Sequence, residues 1–128
     1  MRTRTWTAAL SAGLAMAGCS GHGQPTADSF RAGTCRQGAS AALSLAGAAG
    51  QLAAGSKDSA QLRERLRHDQ QTLRALLPTA AGVARGQLQQ LVTDTGRLRL
   101  GLDSHSDSKA DYQRVIDSER AFERSCTA

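Results

Sequence analysis

The chain predicts an all-α protein, an up-down-up-down four-helix bundle, and three observations carry that expectation. Leu and Ala dominate, Val and Ile are sparse, and aromatic residues make up 3% of the sequence, a composition that favours helix over strand. Apolar residues recur at three- and four-residue spacing through most of the chain after residue 33. Polar or Gly- and Pro-containing breaks divide that pattern into four segments of helix length.

The first helix is expected to begin near Cys35, because Thr34 and Gln37 have the spacing of a capping box. Cys35, Ala39, Ala42, Ala46, Ala49 and Ala53 would form its inward seam, flanked by Leu43, Leu45 and Leu52. Small residues there allow a neighbouring helix to come close, while Gly47 and Gly50 each cost about 1 kcal/mol of intrinsic helix stability. Gly55-Ser56-Lys57 ends this helix, and Asp58 with Gln61 offers the next cap.

The second helix runs to about Leu77 on the stripe Leu62, Leu66, Leu73, Leu76 and Leu77. Pro78 stops it by removing a backbone donor, and Thr79 is the expected cap of the third helix. In that helix Ala84, Leu88, Leu91, Thr95, Leu98 and Leu102 make a coiled-coil-like seam. The Thr95 hydroxyl is expected to bond back to its own helix. Asp103 to Asp107 is a polar turn, and Ser108 with Asp111 caps a last helix carrying Tyr112, Val115, Ile116, Phe122 and Cys126 on one side. Glu119 falls on or beside that side, reaching the rim to pair with an Arg.

In an up-down-up-down bundle the start of the first helix and the end of the fourth lie at the same end. Cys35 and Cys126 occupy those places, so a disulfide between them is expected. The remaining cysteine, Cys19, lies in Leu14-Ala15-Met16-Ala17-Gly18-Cys19-Ser20. Ahead of it, Arg2 and Arg4 precede an apolar run from Thr7 to Ala17, too short to span a bilayer and arranged like an export signal. With Met16, Ala17, Gly18 and Cys19 in the places of its pattern, the stretch resembles the lipobox of a bacterial lipoprotein, in which the cysteine receives diacylglycerol. Met16 departs from the usual Leu, and Ala15-Met16-Ala17 would also serve ordinary signal peptidase. Lipidation of Cys19 leaves an even pair of cysteines for an oxidising compartment, where simple secretion would leave three.

The resulting organisation is a signal peptide over 1–18, the lipidated Cys19 with a flexible tether over 19–33, and a bundle domain over 34–128. The lipobox, the two terminal cysteines and the Leu-Ala helices together resemble small helical-bundle lipoproteins of actinobacteria. That resemblance implies a lipid-anchored place on the extracytoplasmic face of the cell membrane and no known reaction. The formal charge of +5 falls by two when Arg2 and Arg4 are removed. An exported address excludes chromosomal DNA as a partner, and anionic lipid or wall polymer remains as a source of attraction.

Asp103, His105, Asp107 and Asp111 form the one cluster of metal-ligand residue types. An EF-hand loop also wants Gly at its sixth place and Glu at its twelfth, where Ser108 and Arg114 stand, so a turn with capping acids is the reading and no metal is expected. Arg63, Arg67 and Arg74 share one side of the second helix, with Arg65 and Arg85 nearby, and could face phosphate. Glu64 and Asp69 are interspersed, Asp69 four residues from Arg65, which points to a solvated face with local ion pairs that includes His68. Glu119 and Glu123 beside Arg120 and Arg124 read the same way.

No catalytic motif, phosphate loop or zinc cluster is recognisable, so no enzyme activity and no cofactor is expected. The expected function is binding or interaction at the envelope, with an envelope protein or anionic polymer as partner and the Gln and Arg surface of helices two and three as contact. A carrier of a small ligand or metal ion is the alternative.

Overall fold

A computed structural model describes residues 25–127. Four helices, α1 (Thr34–Ala53), α2 (Ser59–Leu76), α3 (Gly82–Asp103) and α4 (Lys109–Thr127), alternate in direction. Each packs on two neighbours to close a four-membered ring. This is the expected up-down-up-down bundle. Cys19 and the signal segment lie outside the described residues.

The core is mostly Leu and Ala. Leu45, Leu66, Leu73, Leu88, Leu91 and Leu98 are fully buried, with Ala39, Ala42, Ala48 and Ala49 between them. In α1 the expected seam holds at Cys35, Ala39, Ala42 and Ala49, but Ala46 is only half-buried and Ala53 is exposed. The buried line has moved to Leu45, Ala48 and Leu52. A seam read at 3.5 residues per turn drifts by about 20° per heptad around a straight helix, enough over α1 to change which residues face inward.

Helix ends were read less well. Gly33, not Thr34, occupies the N-cap position of α1, and the Thr34 hydroxyl faces Thr79 at the same end of the bundle. Asp58 sits at the N-cap of α2 without a side-chain bond. Thr79 does not cap α3: Leu77–Thr79 forms a 3-10 turn, the Thr79 hydroxyl donates to the Leu76 carbonyl at 3.0 Å, and Ala81 precedes the helix. The α4 capping box is present. Ser108 N–H donates to Asp111 Oδ2 at 3.0 Å, and Asp111 N–H returns to Ser108 Oγ at 3.4 Å.

Two helices end in the same backbone motif with different residues. After α1, Gly55 (φ +81°) donates to the Leu52 carbonyl and Ser56 N–H to Gln51. After α3, His105 (φ +55°) and Ser106 make the equivalent bonds to Leu102 and Gly101. The left-handed conformation strains a residue with a Cβ and is accessible to Gly. His105→Gly should therefore raise unfolding free energy by about 0.5–1 kcal/mol in chemical denaturation.

The tether expected over 19–33 is corrected in its last part. Phe30 is 1% exposed, with its ring centroid 6.2 Å from that of Phe122. Its carbonyl accepts from Arg36, and Arg31 N–H donates to the Cys126 carbonyl at 2.8 Å. The domain thus begins before residue 34. A single buried aromatic creates no periodicity, which is why this segment reads as polar linker.

Cys35 and Cys126 are paired as expected, with Cα atoms 5.5 Å apart and 91 residues between them in sequence. The bridge ties the first turn of α1 to the last turn of α4, at the end where Arg31 N–H meets the Cys126 carbonyl.

Candidate functional site

Each of the four seams between neighbouring helices holds a polar group at its centre, and these groups distinguish one seam from another. At α3–α4, buried Asp94 accepts at Oδ2 from Gln90 Nε2 at 3.0 Å and from Ser118 Oγ. At α1–α2, Arg65 donates through Nε to Ser44 Oγ at 3.0 Å. Asp69 beneath it is buried, and its Oδ2 has no hydrogen-bond partner. The expected Asp69–Arg65 ion pair does not form. Asp69 lies one turn after Leu66 on the apolar stripe and turns inward with it, while Arg65 reaches across to α1. Burial pushes the Asp69 carboxyl above its usual range, outweighing the nearby Ser44 hydroxyl and the charge of Arg65.

The α1–α4 seam holds Glu119. Its expected place at the rim is also corrected: it is 4% exposed, and among the described residues it makes no ion pair and its Oε1 has no hydrogen-bond partner. Facing it across a groove are Leu43, Ala46 and Gly47 of α1, none of which can donate to it through a side chain. Burial pushes the carboxyl up to about 7, the adjacent Glu123 adds to the rise, and Arg120 opposes it. Neither Glu119 nor Glu123 forms the expected bridge to Arg120 or Arg124 among the described residues.

The α2–α3 seam is the least extensive of the four. A buried polar bridge crosses its middle: Gln70, 2% exposed, donates to the Val92 carbonyl at 3.0 Å and accepts from Arg99 at 2.6 Å. Gly96 makes room for this bridge, since a Cβ there would lie 3.0 Å from Gln70 Nε2. The bridge falls on the gap in the α2 stripe between Leu66 and Leu73, a position where a polar residue signals interior hydrogen bonding as readily as exposure. Sequence reading passed over it.

Outside that bridge the seam opens into a groove of about 750 Å³. Arg74 of α2 and Leu77 of the turn after it line one side, and Val92, Arg97, Arg99, Leu100 and the Arg63-bound Asp103 of α3 line the other. Leu100 is 72% exposed. A second, smaller pocket continues it past Arg63 and Arg67. There each arginine is matched, Arg63 by Asp103 and Arg67 by Glu64, whose carboxyl Arg67 holds below its usual range. Arg74 and Arg97 form no ion pair among the described residues. The arginines of α2 are therefore not one uniform solvated face, because Arg74 joins α3 arginines around an apolar-walled groove while Arg63 and Arg67 are neutralised.

The acidic turn is not assembled as a site. Asp103 binds Arg63, Asp107 accepts from Tyr112, and Asp111 caps α4 and binds Arg114 at 2.9 Å. Burial and the Asp107 carboxylate push the Tyr112 phenol up to about 12. Among the described residues no group of three or more His, Cys, Asp or Glu side chains is arranged to hold a metal ion. Comparison with protein-family models, curated proteins and solved structures finds no match.

Proposed function

We propose that this chain is a lipid-anchored protein of the cell envelope, held by acylated Cys19 on the extracytoplasmic face of the cell membrane. In this reading the bundle is a binding module whose contact surface is the α2–α3 groove. The lipobox-like stretch ending in Cys19 and the paired Cys35 and Cys126 support the address. Among the described residues no helix is long and apolar enough to cross a membrane, and a diacylglyceryl group would supply the two chains that stable anchoring needs. The observation that carries the binding role is the groove itself, where Arg74 and Arg97 form no ion pair among the described residues and stand beside exposed Leu100. A carrier of a small ligand in the same groove is the alternative, favoured by the apolar wall. Neither reading gives the protein a catalytic role.

Photo-crosslinking in intact cells tests this. A photoreactive side chain at Thr93, which lines the groove, should yield a dominant adduct with an envelope protein or polymer, and one at Gln113, exposed on α4, should not. Cys19→Ala should release the protein to the medium and remove the adduct. Equal adducts from both positions would overturn the groove assignment, and a Cys19→Ala protein still bound to membrane would overturn the anchor.

A further inference from the structure

We infer that the α2–α3 groove is a site for an anionic lipid, with the acid group on Arg74 and Arg97 and one acyl chain along Leu77, Val92 and Leu100. The inference rests on the reading of this groove as the binding face and, of the two occupants given for it, takes the small ligand.

Charge selects the head group. The other arginines that line the groove and the pocket beside it are already engaged: Arg63 and Arg67 bind acids, and Arg99 donates to Gln70. Arg74 and Arg97 approach the groove from opposite helices with their guanidinium groups uncommitted, the arrangement that receives a carboxylate or phosphate in charge-assisted pairs. Arg99 adds a third cation whose orientation is fixed by a nearly inaccessible glutamine, so less motion is lost when an acid binds beside it.

The wall selects the rest of the molecule. Leu77, Val92 and Leu100 are spread along the groove, Leu100 on the side toward Asp103, and Leu100 is largely open to solvent. A free phosphate or a uniformly charged polymer would satisfy the arginines and leave that wall wet. A hydrocarbon chain covers it, and covering apolar surface is the main drive for ligand burial. The groove volume of about 750 Å³ lies in the range of small-molecule sites, and an apolar wall with a few placed cations is their usual make-up.

The test uses the full-length lipidated protein in membranes and two diazirine-bearing probes of equal chain length, a fatty acid and the corresponding alkylamine. The fatty acid should label peptides between residues 74 and 100, and the amine should label them about tenfold less. Arg74→Gln/Arg97→Gln should cut fatty-acid labelling about tenfold, as loss of charge-assisted bonds requires. Both arginines are exposed, so the variant's melting temperature should stay within a few degrees of the parent. Equal labelling by acid and amine, or labelling unchanged in the double variant, would overturn the inference. If the fatty acid fails to label the groove while Thr93 still gives its protein or polymer adduct, the lipid assignment falls and the binding-face reading stands.

Discussion

Reducing the Cys35–Cys126 bridge should lower the melting temperature by roughly 20 °C or more. The bridge spans 91 residues, nearly the whole folded domain. In the chain-entropy model a crosslink closing a loop of that size contributes on the order of 4–5 kcal/mol by restricting the unfolded chain. A domain of about 100 residues is stabilised by only about 5–15 kcal/mol in total. Two features of this bundle make the share large. The buried face of α1 is mostly Ala and Gly, so it removes little apolar surface per residue. The bridge also holds the end where Phe30 packs on Phe122 and Arg31 N–H meets the Cys126 carbonyl, contacts that depend on α1 and α4 staying together. Thermal melts with and without a phosphine reductant measure the effect, with Cys35→Ala/Cys126→Ala as the matched variant. A shift of a few degrees would show that helix packing alone holds the bundle.

The second large effect is a fall in stability as pH rises through neutrality. Glu119 keeps its proton in the folded protein up to about 7, whereas in the unfolded chain it releases it near the ordinary glutamate value of 4.5. Between these values the folded state binds more protons, so stability is fully present below about pH 4.5 and is lost as pH rises toward and through 7. Unfolding free energy should drop by about 2–3 kcal/mol between about pH 5 and pH 8. Asp69, also raised by burial, acts in the same direction. The groups around Glu119 explain why ionisation is not offset: α1 presents Leu43, Ala46 and Gly47, and on α4 the charge of Glu123 works against that of Arg120. Urea denaturation across this range checks the slope. Glu119→Gln should remove most of it and be the more stable protein at pH 8, and an unchanged slope in that variant would assign the pH dependence elsewhere.

The helical class, the four elements, their alternating direction and the Cys35–Cys126 pairing were all legible in the chain. Each depends on local chemistry or on simple geometry: Ala and Leu propensity, three- and four-residue spacing, Pro78 and Gly55 as stops, and two cysteines at the ends of an even number of helices. The α3 seam from Leu88 to Leu102 and the Ser108–Asp111 box were readable for the same reason, since their partners lie within one or two turns. Tertiary structure alone decided the polar interior. Asp69 read as part of a solvated face and Glu119 as a rim residue, and nothing local singled out Gln70 or Asp94, yet all four are buried, and the partners of Gln70 and Asp94 include residues on other helices. The groove is of the same kind. Arg74 and Arg97 are 23 positions apart, and nothing local to either indicates that one apolar wall lies between them. Periodicity reports which way a side chain points from its own helix. What it meets there depends on the rotation and separation of the neighbouring helix, which no local pattern encodes.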